Sequence, residues 1–509
     1  MRGFARLALH DKAVPMQRVS FNLAAHVLAA GQSCPEKAAL QVVGAQSETL
    51  SYAALTAAVL GTATGLIQAG LRPGDRVLMR LGNTPDFPIA YLGALAAGLV
   101  PVPTSAALTK SEVTAIIAEL APKAILHDPH VPCPADRRRI DLNVLRGFRK
   151  LPPAPYHMGD PERPGYIIYT SGTSGAPRAV VHAHRAILAR QMMFQGWYGL
   201  GPGDRMMHAG AFNWTYTLGT GLMDPWTLGA VALIPAPGTD AAALPALMAQ
   251  HKASIFAAAP GVYRQALRGD VPTLPNLRHG LSAGEKMPGA TQQAWQNATG
   301  TPVFEAYGMS ECSTFISSAP GMPAAPGTIG CAQPGRKIAM MGPGGPVAPG
   351  TPGVIAVHRS DPGLMLGYLD QPEETAARFK GNWFLTGDIG TAAPDGQITY
   401  LGRNDDMLNA GGFRVSPLEI ENVLNAHQHI TGAACIELPV ASDTKVIAAF
   451  YTSTMPLEET ALASYVEDKL ARYKQPRIYQ RVDTLPTGAN GKLLRRRLRD
   501  DWKGHEWKR

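Results

Sequence analysis

Short apolar runs alternate with longer amphipathic stretches between residues 20 and 360 of the chain. The spacing of the apolar positions predicts helices at 52–69 and 86–97, and short strands at 76–80 and 124–127. Because strands that alternate with helices favour parallel sheets covered by helices, we predict an α/β fold. Residues 321–350 are crowded with glycine and proline, which predicts loops and turns in that segment.

The pattern of residue types changes after Leu401. Residues 402–414 are polar and rich in glycine, and the sequence then predicts a helix at 417–426. We interpret this change as a linker between a large domain, 1–404, and a small C-terminal domain, 405–509. A chain of 509 residues exceeds the usual size of one hydrophobic core, which agrees with two domains.

The composition is that of a globular protein, with 45% hydrophobic and 17% charged residues. The formal net charge of +8 suits either nucleic acid or small ligands that are rich in phosphate. No basic stripe interleaved with aromatic residues occurs in the sequence, which therefore disfavours nucleic acid as a partner. No apolar run approaches the ~20 residues that a membrane-spanning helix requires, so we expect no transmembrane segment.

The cysteines are odd in number and widely separated, at Cys34, Cys133, Cys312, Cys331 and Cys435. Such scatter is typical neither of a disulfide framework nor of a metal cluster, and it indicates a reducing compartment. The first 30 residues also lack the apolar core of a signal peptide. We therefore expect an ordinary mature N-terminus and a cytoplasmic location.

One glycine-rich segment gives the first indication of chemistry. An apolar run at 166–169 leads into the sequence TSGTSG at 170–175, the phosphate loop, and a helix is predicted to begin near Ala183. Glycines let the backbone turn tightly, so that successive N–H groups point at phosphate oxygens. Hydroxyl groups, the Arg178 cation and the N-terminus of that helix would add to the attraction. The segment lacks the Walker pattern, and a flexible surface loop is the alternative interpretation.

Five more segments follow in a recognisable order: AGEKM at 283–287, FEAYGMSE at 304–311, WFLTGD at 383–388, GRNDD through GFR at 402–414, and PTGANGK at 486–492. Together with the loop, they make the chain resemble the adenylate-forming superfamily of acyl-CoA synthetases, peptide-synthetase adenylation domains and firefly luciferases. The resemblance covers residues from about 20 to 500. It implies a large α/β N-terminal domain of β-α-β subdomains and a small, mobile α+β C-terminal domain.

The resemblance implies that these segments bind ATP. Asp388 is expected to accept hydrogen bonds from both ribose hydroxyls, with Arg403 beside the ribose. Arg414 is expected on the phosphates, where its guanidinium offers a fixed cationic fork, and Tyr307 offers a ring for stacking. The remaining nucleotide contacts are assigned to Thr170, Ser171, Gly172, Thr173, Ser174, Gly175, Arg178, Gly284, Glu285, Lys286, Glu305, Ala306, Gly308, Met309 and Ser310.

The resemblance assigns catalysis to Lys492, Glu311 and Arg414. Attack of a carboxylate on the α-phosphate brings two anions together, and a lysine that touches both relieves the repulsion in the transition state. A solvated lysine in a basic tail is the alternative for Lys492. Glu311 is expected to bind Mg²⁺, which prefers carboxylate oxygen and bridges substrate phosphates. Asp405 is placed at the hinge about which the small domain turns.

The chain departs from the superfamily pattern at a few positions. The loop usually carries two lysines and a following glycine, whereas this chain has Ala176, Arg178 and Ala179. Val354 stands where glutamate is common, and Asn409 where lysine is frequent. We expect the loss of one loop charge to weaken ATP binding without abolishing it.

The candidate acid-pocket residues are Phe212, Asn213, Trp214, Tyr216 and Gly308. Gly308 stands where acetyl-CoA synthetases place a tryptophan, which leaves room for an acid larger than acetate. Asn213 stands where amino-acid adenylation domains have an aspartate, so an α-amino acid is disfavoured. The segment 214–226 resembles medium-chain acyl-CoA synthetases, while aryl-acid enzymes are similar in having asparagine near 213. Aromatic and medium-chain acids both stay open, and simple core packing is the alternative role for the aromatic side chains.

No carrier-protein module follows Lys492, which favours coenzyme A as the acceptor of the acyl group. The predicted activity is that of an AMP-forming carboxylic acid:CoA ligase that uses ATP, Mg²⁺ and coenzyme A. Three alternatives stay open: an enzyme that loads a separate carrier protein, an oxidative luciferase-type enzyme, and a nucleotide-binding regulator without turnover. The expected partners are small molecules, and a homodimer is also left open.

Overall fold

The computed structural model describes residues 20–45, 47–136, 138–170, 178–404, 406–410, 413–441, 444–487 and 493–502. Within these ranges, no helix combines the length and the apolar character that crossing a bilayer requires. The α-helices of the described residues are α1 (Leu23–Leu28), α2 (Tyr52–Gln68), α3 (Asp86–Ala96), α4 (Lys110–Leu120), α5 (Leu142–Phe148), α6 (Ala186–Gln191), α7 (Thr215–Leu218), α8 (Asp224–Thr227), α9 (Leu244–Gln250), α10 (Pro260–Ala266), α11 (Gly289–Thr299), α12 (Pro372–Ala377), α13 (Pro417–Asn425), α14 (Glu459–Glu467) and α15 (Arg495–Asp500).

The largest sheet of the described chain has nine strands. In order across the sheet they are β15 (Cys331–Ala332), β14 (Ser313–Ser317), β13 (Val303–Met309), β12 (His279–Ala283), β11 (Ile255–Ala258), β9 (Arg205–Ala209), β10 (Val231–Pro235), β1 (Ala38–Val43) and β2 (Glu48–Ser51). The strands from β13 to β1 run parallel, and β2, β14 and β15 add antiparallel edges. The parallel centre confirms the predicted α/β fold.

The central strands of this sheet are buried on both faces. Met206 and Ile255 belong to one apolar cluster, whereas the residues that follow them, Met207 and Phe256, belong to another that contains Trp295 of α11. Successive side chains of a strand point to opposite faces, so each cluster takes alternate positions. Continuous apolar strands of this kind are typical of parallel sheets with helices on both sides.

A second parallel sheet lies within residues 76–141. Its strands, in order, are β4 (Val100–Pro103), β3 (Arg76–Arg80), β5 (Ala124–His127) and β6 (Arg139–Asp141). The predicted strands at 76–80 and 124–127 are therefore confirmed. The predicted helices at 52–69 and 86–97 are also present, as α2 and α3, and each ends one residue earlier than expected.

Two antiparallel sheets complete the large domain. One consists of β19 (Gly367–Tyr368), β8 (Arg178–Ala183) and β7 (Pro164–Thr170); the other consists of β17 (Gly345–Pro346), β16 (Ile338–Gly342), β18 (Gly353–His358), β21 (Trp383–Ala392) and β20 (Phe379–Lys380), with β22 (Ile398–Arg403) paired to β21. The expectation of loops and turns at 321–350 was wrong in part, because β15, β16 and β17 lie there. The apolar residues of β16 pair with β18, and this pairing outweighs the glycine-rich composition around them.

The chain after residue 403 forms a small α+β domain. Its strands are β23 (Leu408–Ala410) paired with β24 (Phe413–Val415), and β25 (Ile430–Ala441), β26 (Thr444–Ser453) and β27 (Ile478–Arg481) in one sheet. Two apolar clusters consist of C-terminal residues alone, one around Ile420 of α13 and one around Leu498 of α15. A domain with its own core is thereby confirmed, while the boundary between 404 and 405 stays a prediction.

Candidate active site

The phosphate loop joins two antiparallel strands. Thr170, the last residue of β7, pairs with Arg178, the first residue of β8. The expected helix near Ala183 was wrong, because that residue ends β8 and α6 begins only at Ala186, at the far end of the strand. The β-branched Val180 and its neighbours favour the extended pairing, so no helix N-terminus follows the loop directly. The predicted phosphate contacts Ser171, Gly172, Thr173, Ser174 and Gly175, and the side chain of Thr170, lie outside the described residues.

Arg178 itself is described, and two groups hold its side chain. The guanidinium forms an ion pair with Glu374 of α12. Its Cζ atom also lies 5.4 Å from the ring centroid of Tyr368, in a cation–π arrangement. The one cation that the loop retains is therefore fixed at the mouth of the β7–β8 hairpin.

The carboxyl ends of β12 and β13 bring the second and third motifs together. The two strands are parallel neighbours, with Ala283 opposite Ala306. Gly284 has φ +98, a conformation that glycine adopts without strain, and the chain turns there toward Glu285 and Lys286. The Met287 amide then donates a 3.3 Å hydrogen bond to Oε1 of Glu305. Burial raises the pKa of Glu305 to about 7, although this hydrogen bond opposes the rise.

The predicted ribose carboxylate is enclosed by two polar partners. Asp388 is 6% exposed on β21, and the hydroxyl of Tyr307 donates a short hydrogen bond to it. Nη1 of Arg403 lies 3.2 Å from Oδ1 of Asp388, because β22 pairs the two residues directly. The Tyr307 ring lies between Tyr400 and Phe315, at centroid distances of 5.6 and 5.3 Å. Three predicted nucleotide residues from separate motifs thus meet at one place.

Glu311 lies at the turn between β13 and β14 and is 7% exposed. The hydroxyl of Tyr368 donates a 2.9 Å hydrogen bond to its Oε1. Within the described residues, no group of three or more His, Cys, Asp and Glu side chains converges as a protein cage for a metal. A single acidic ligand fits Mg²⁺, which proteins usually hold through one or two carboxylates together with substrate phosphates and water.

Two buried arginines fix the turn that carries Glu311. Arg336, paired with Asp361, donates hydrogen bonds to the carbonyl oxygens of Thr314 and Cys312, at 2.6 and 3.2 Å. On the other side, Arg190 donates to the Ser313 hydroxyl at 2.5 Å. Guanidinium groups that satisfy several acceptors at once hold such a turn rigidly.

A buried histidine supports the same turn from β8. His182 donates from Nε2 to the Ser310 carbonyl at 2.7 Å, since a carbonyl oxygen can only accept. Burial lowers the pKa of His182 to about 4, so its imidazole is neutral. The strand that begins at the phosphate loop is therefore bonded to the Glu311 turn.

The acid-pocket candidates divide into two kinds. Phe212 and Tyr216 are 3% and 9% exposed and belong to core clusters, so packing accounts for most of their contacts. Asn213 and Trp214 keep exposed surface. Gly308 has a structural role as well, because a Cβ atom there would lie 2.3 Å from the Ser313 carbonyl oxygen.

Next to Tyr216 lies a histidine that the sequence did not single out. The His208 ring is 4.7 Å from the Tyr216 ring, and the residue is 2% exposed. Neither ring nitrogen has a partner within the described residues, and burial lowers the pKa of His208 to about 3. A neutral imidazole with one donor and one acceptor therefore lies beside the candidate pocket.

Lys492, the predicted catalytic residue, and Asp405, the predicted hinge residue, lie outside the described residues, as does the side chain of Arg414. Arg495, three positions after Lys492, is described. Its guanidinium lies 2.7 Å from Glu421 of α13 and 3.6 Å from Asp406, which follows the predicted hinge. The segment after Lys492 is thus bonded to the segment that follows the predicted hinge.

Comparison with known proteins decides the family. A family model described as AMP-binding enzyme matches residues 28–369, which is more than half of the chain. The chain belongs to the AMP-binding enzyme family. A second model, the AMP-binding enzyme C-terminal domain, matches residues 419–492.

Individual proteins match this chain over 81% or more of their own length. The 3-hydroxybenzoate–CoA ligase of Aromatoleum sp. (strain CIB) is 30% identical over 488 residues, covering 90% of this chain and 92% of its own. The human mitochondrial acyl-coenzyme A synthetase ACSM2A is 29% identical over 470 residues, covering 85% of this chain and 81% of its own. The crystal structure of ATP-bound MatB from Rhodopseudomonas palustris has a TM-score of 0.87 at 26% identity, covering 95% of this chain and 99% of that one.

Several residues around the nucleotide site were missed from the sequence. Tyr368, Glu374 and His182 contact the predicted site residues Glu311, Arg178 and Ser310. Arg190 and Arg336 instead bind residues 312–314, next to Glu311. Each lies outside the motifs or far from its partner in the chain, so no local signal marked it. For example, nothing in the sequence around Gly367 and Tyr368 indicates a functional site. The pairing of β19 with β8 is what brings Tyr368 to the site.

Proposed function

We propose that this AMP-binding enzyme activates a carboxylic acid with ATP as an acyl-adenylate and transfers the acyl group to coenzyme A. The observation that carries the proposal is the convergence of Asp388, Tyr307 and Arg403 from three motifs. Tyr307 lies on β13, which leads into the turn of Glu311. An adenosine ribose offers two hydroxyls to a carboxylate such as that of Asp388. The AMP-binding family model and the ATP-bound MatB structure support the nucleotide, and the matches to a CoA ligase and to an acyl-coenzyme A synthetase support the acceptor.

The residues of the site would act mainly by positioning. Asp388 holds the ribose, and the Arg178 and Arg414 cations offset the charge of the phosphates. Mg²⁺, held by Glu311, would neutralise charge on the phosphate oxygens during displacement of pyrophosphate. Lys492 would contact both the attacking carboxylate and the α-phosphate, which lowers the repulsion between them. Rotation about Asp405 would then exchange Lys492 for the thiol-binding face of the small domain.

An aromatic acid is the substrate class that we propose first. The 3-hydroxybenzoate–CoA ligase is 30% identical to this chain. The neutral His208 beside Tyr216 supplies a donor and an acceptor for a ring hydroxyl. A medium-chain fatty acid is the second candidate, favoured by the segment 214–226 and by the mitochondrial acyl-coenzyme A synthetase.

The location proposed for the protein is the cytoplasm. All the cysteines are free, at Cys34, Cys133, Cys312, Cys331 and Cys435. Free thiols of this number suit a reducing compartment, where disulfides rarely persist. A homodimer stays a prediction.

The test is a panel of benzoate derivatives and straight-chain acids, assayed for pyrophosphate release with and without coenzyme A. The proposal expects acid-dependent pyrophosphate release, a thioester when coenzyme A is present, and higher specificity constants for hydroxybenzoates than for fatty acids. Pyrophosphate without thioester would favour the carrier-protein alternative. Absence of pyrophosphate with every acid would favour the non-catalytic regulator.

A further inference from the structure

The Arg178 position is where this chain departs most clearly from the superfamily pattern, since arginine replaces lysine and the other loop lysine is missing. The structure gives this arginine a carboxylate partner, Glu374, on α12. The side chains of Arg178 and Glu374 are 22% and 35% exposed, so the pair lies at the edge of the site rather than in the core.

Glu374 is held in place by contacts that do not involve Arg178. Its neighbour Thr375 accepts a 2.9 Å hydrogen bond from the Tyr368 amide and donates a 2.8 Å hydrogen bond to the Gln371 carbonyl. Tyr368 in turn pairs with Val180 of β8. The start of α12 is therefore bonded to the strand that begins at Arg178, and the carboxylate has a fixed place beside it.

An arginine can use such a partner in a way that a lysine cannot. Its guanidinium carries five N–H donors in a planar fork, so one edge can bind a carboxylate while other donors stay available for phosphate oxygens. The Tyr368 ring, 5.4 Å from Cζ, restricts the plane of the fork. A lysine ammonium is a point charge that a carboxylate would withdraw from the phosphates.

We propose that Glu374 is a positioning residue for ATP: it holds the Arg178 guanidinium so that its remaining N–H groups bind the triphosphate. The proposal rests on the proposed function, because it requires the phosphate loop to bind nucleotide. A partly exposed carboxylate repels the nearby phosphates only weakly, since water screens the repulsion. For ATP binding, the gain from orienting Arg178 is therefore larger than the loss from the repulsion between Glu374 and the phosphates.

The experiment measures equilibrium binding of ATP with Mg²⁺, and separately of adenosine, by calorimetry without any carboxylic acid. Glu374→Gln should raise the Kd for ATP by about fivefold, as loss of a charge-assisted contact does. The Kd for adenosine, which has no phosphate, should stay the same. Glu162→Gln is the matched control, because Glu162 also pairs with an arginine, Arg185, at 2.6 Å and neither residue is assigned to the nucleotide site, so it should change neither Kd.

A charge-swapped double variant, Arg178→Glu with Glu374→Arg, separates the effect of the ion pair on ATP binding from its effect on folding stability. It should restore the ion pair and the melting temperature while ATP binding stays weak, because a carboxylate then faces the phosphates. Arg178→Lys should bind ATP more weakly than the wild type although its charge is kept.

Three results would overturn the proposal. If Glu374→Gln weakens the binding of ATP and of adenosine equally, Glu374 has a structural role only. If the variant binds ATP more tightly, Glu374 competes with the phosphates for Arg178. If the Kd for ATP is unchanged, Glu374 has no role in binding ATP. Failure of the proposed function is distinct from these, because the wild-type protein would then release no pyrophosphate with any acid, whereas the Kd values compared here are measured without turnover.

Discussion

The hydroxyl of Tyr368 donates a 2.9 Å hydrogen bond to Oε1 of Glu311, although the two residues are 57 positions apart in the chain. The same ring lies 5.4 Å from Cζ of Arg178. One tyrosine therefore contacts both the proposed Mg²⁺ ligand and the cation of the phosphate loop. The contact depends on the short strand β19, which brings Tyr368 beside β8.

Tyr368→Phe tests this contact, because it removes the hydroxyl and keeps the ring. Glu311 loses a donor that fixes its carboxylate, so the Mg²⁺ concentration for half-maximal pyrophosphate release should rise about fivefold. The KM for the carboxylic acid should not change. Tyr451→Phe, which removes a hydroxyl in the C-terminal domain, is the control. An unaltered Mg²⁺ dependence in Tyr368→Phe would mean that the hydrogen bond does not orient the metal ligand.

Asp388→Ala tests the ribose assignment. ATP and 2′-deoxy-ATP differ only in a hydroxyl that Asp388 is expected to bind, so the wild type should prefer ATP. The variant should bind ATP at least about tenfold more weakly, since a charged hydrogen-bonding partner is lost, and the preference should disappear. If the variant still distinguishes the two nucleotides, Asp388 does not contact the ribose.

The raised pKa of Glu305, about 7, predicts how stability varies with pH. Between its unfolded value near 4.5 and about 7, the folded state holds a proton that the unfolded state has released, so stability falls as pH rises. Glu305→Gln has no proton to lose and should remove this slope. The measurement is the difference in melting temperature between variant and wild type at pH 5 and at about pH 8. The melting temperature of Glu305→Gln relative to the wild type should be higher at the higher pH. A difference that does not depend on pH would contradict the raised pKa of Glu305.

The catalytic assignment of Lys492 is tested by separating the two half-reactions. Lys492→Ala should lose most acid-dependent pyrophosphate release, because nothing then offsets the repulsion between the carboxylate and the α-phosphate. Thioester formation from supplied acyl-adenylate and coenzyme A should be largely kept. An equal loss in both half-reactions would contradict a lysine that acts only in the first.

Local patterns predicted much of the fold. The helices and strands at 52–69, 76–80, 86–97 and 124–127 were visible because their apolar spacing is set within a few residues. The error near Ala183 has the same origin, since a short apolar run fits a helix or a strand equally well until its partner is known. The pairing of β8 with β7 makes the segment that ends at Ala183 a strand.

The site was predictable where motifs carry it, and unpredictable where distant residues support it. Three motifs predict Asp388, Tyr307 and Arg403 as nucleotide residues, and the structure brings these residues together. Glu374 and Arg190 were not predicted as site residues, because their contacts with Arg178 and Ser313 form only when distant segments of the chain fold together. Contacts of this kind depend on topology, which the spacing of residues in one segment does not report.

Acyl-adenylate formation is tested most directly by an acid labelled with oxygen-18 in its carboxylate. If the carboxylate attacks the α-phosphate, one labelled oxygen stays on phosphorus when coenzyme A takes the acyl group. Mass spectrometry of the products should then show AMP that carries one oxygen-18 atom and pyrophosphate that carries none. Unlabelled AMP, or label in inorganic phosphate together with ADP, would contradict the account.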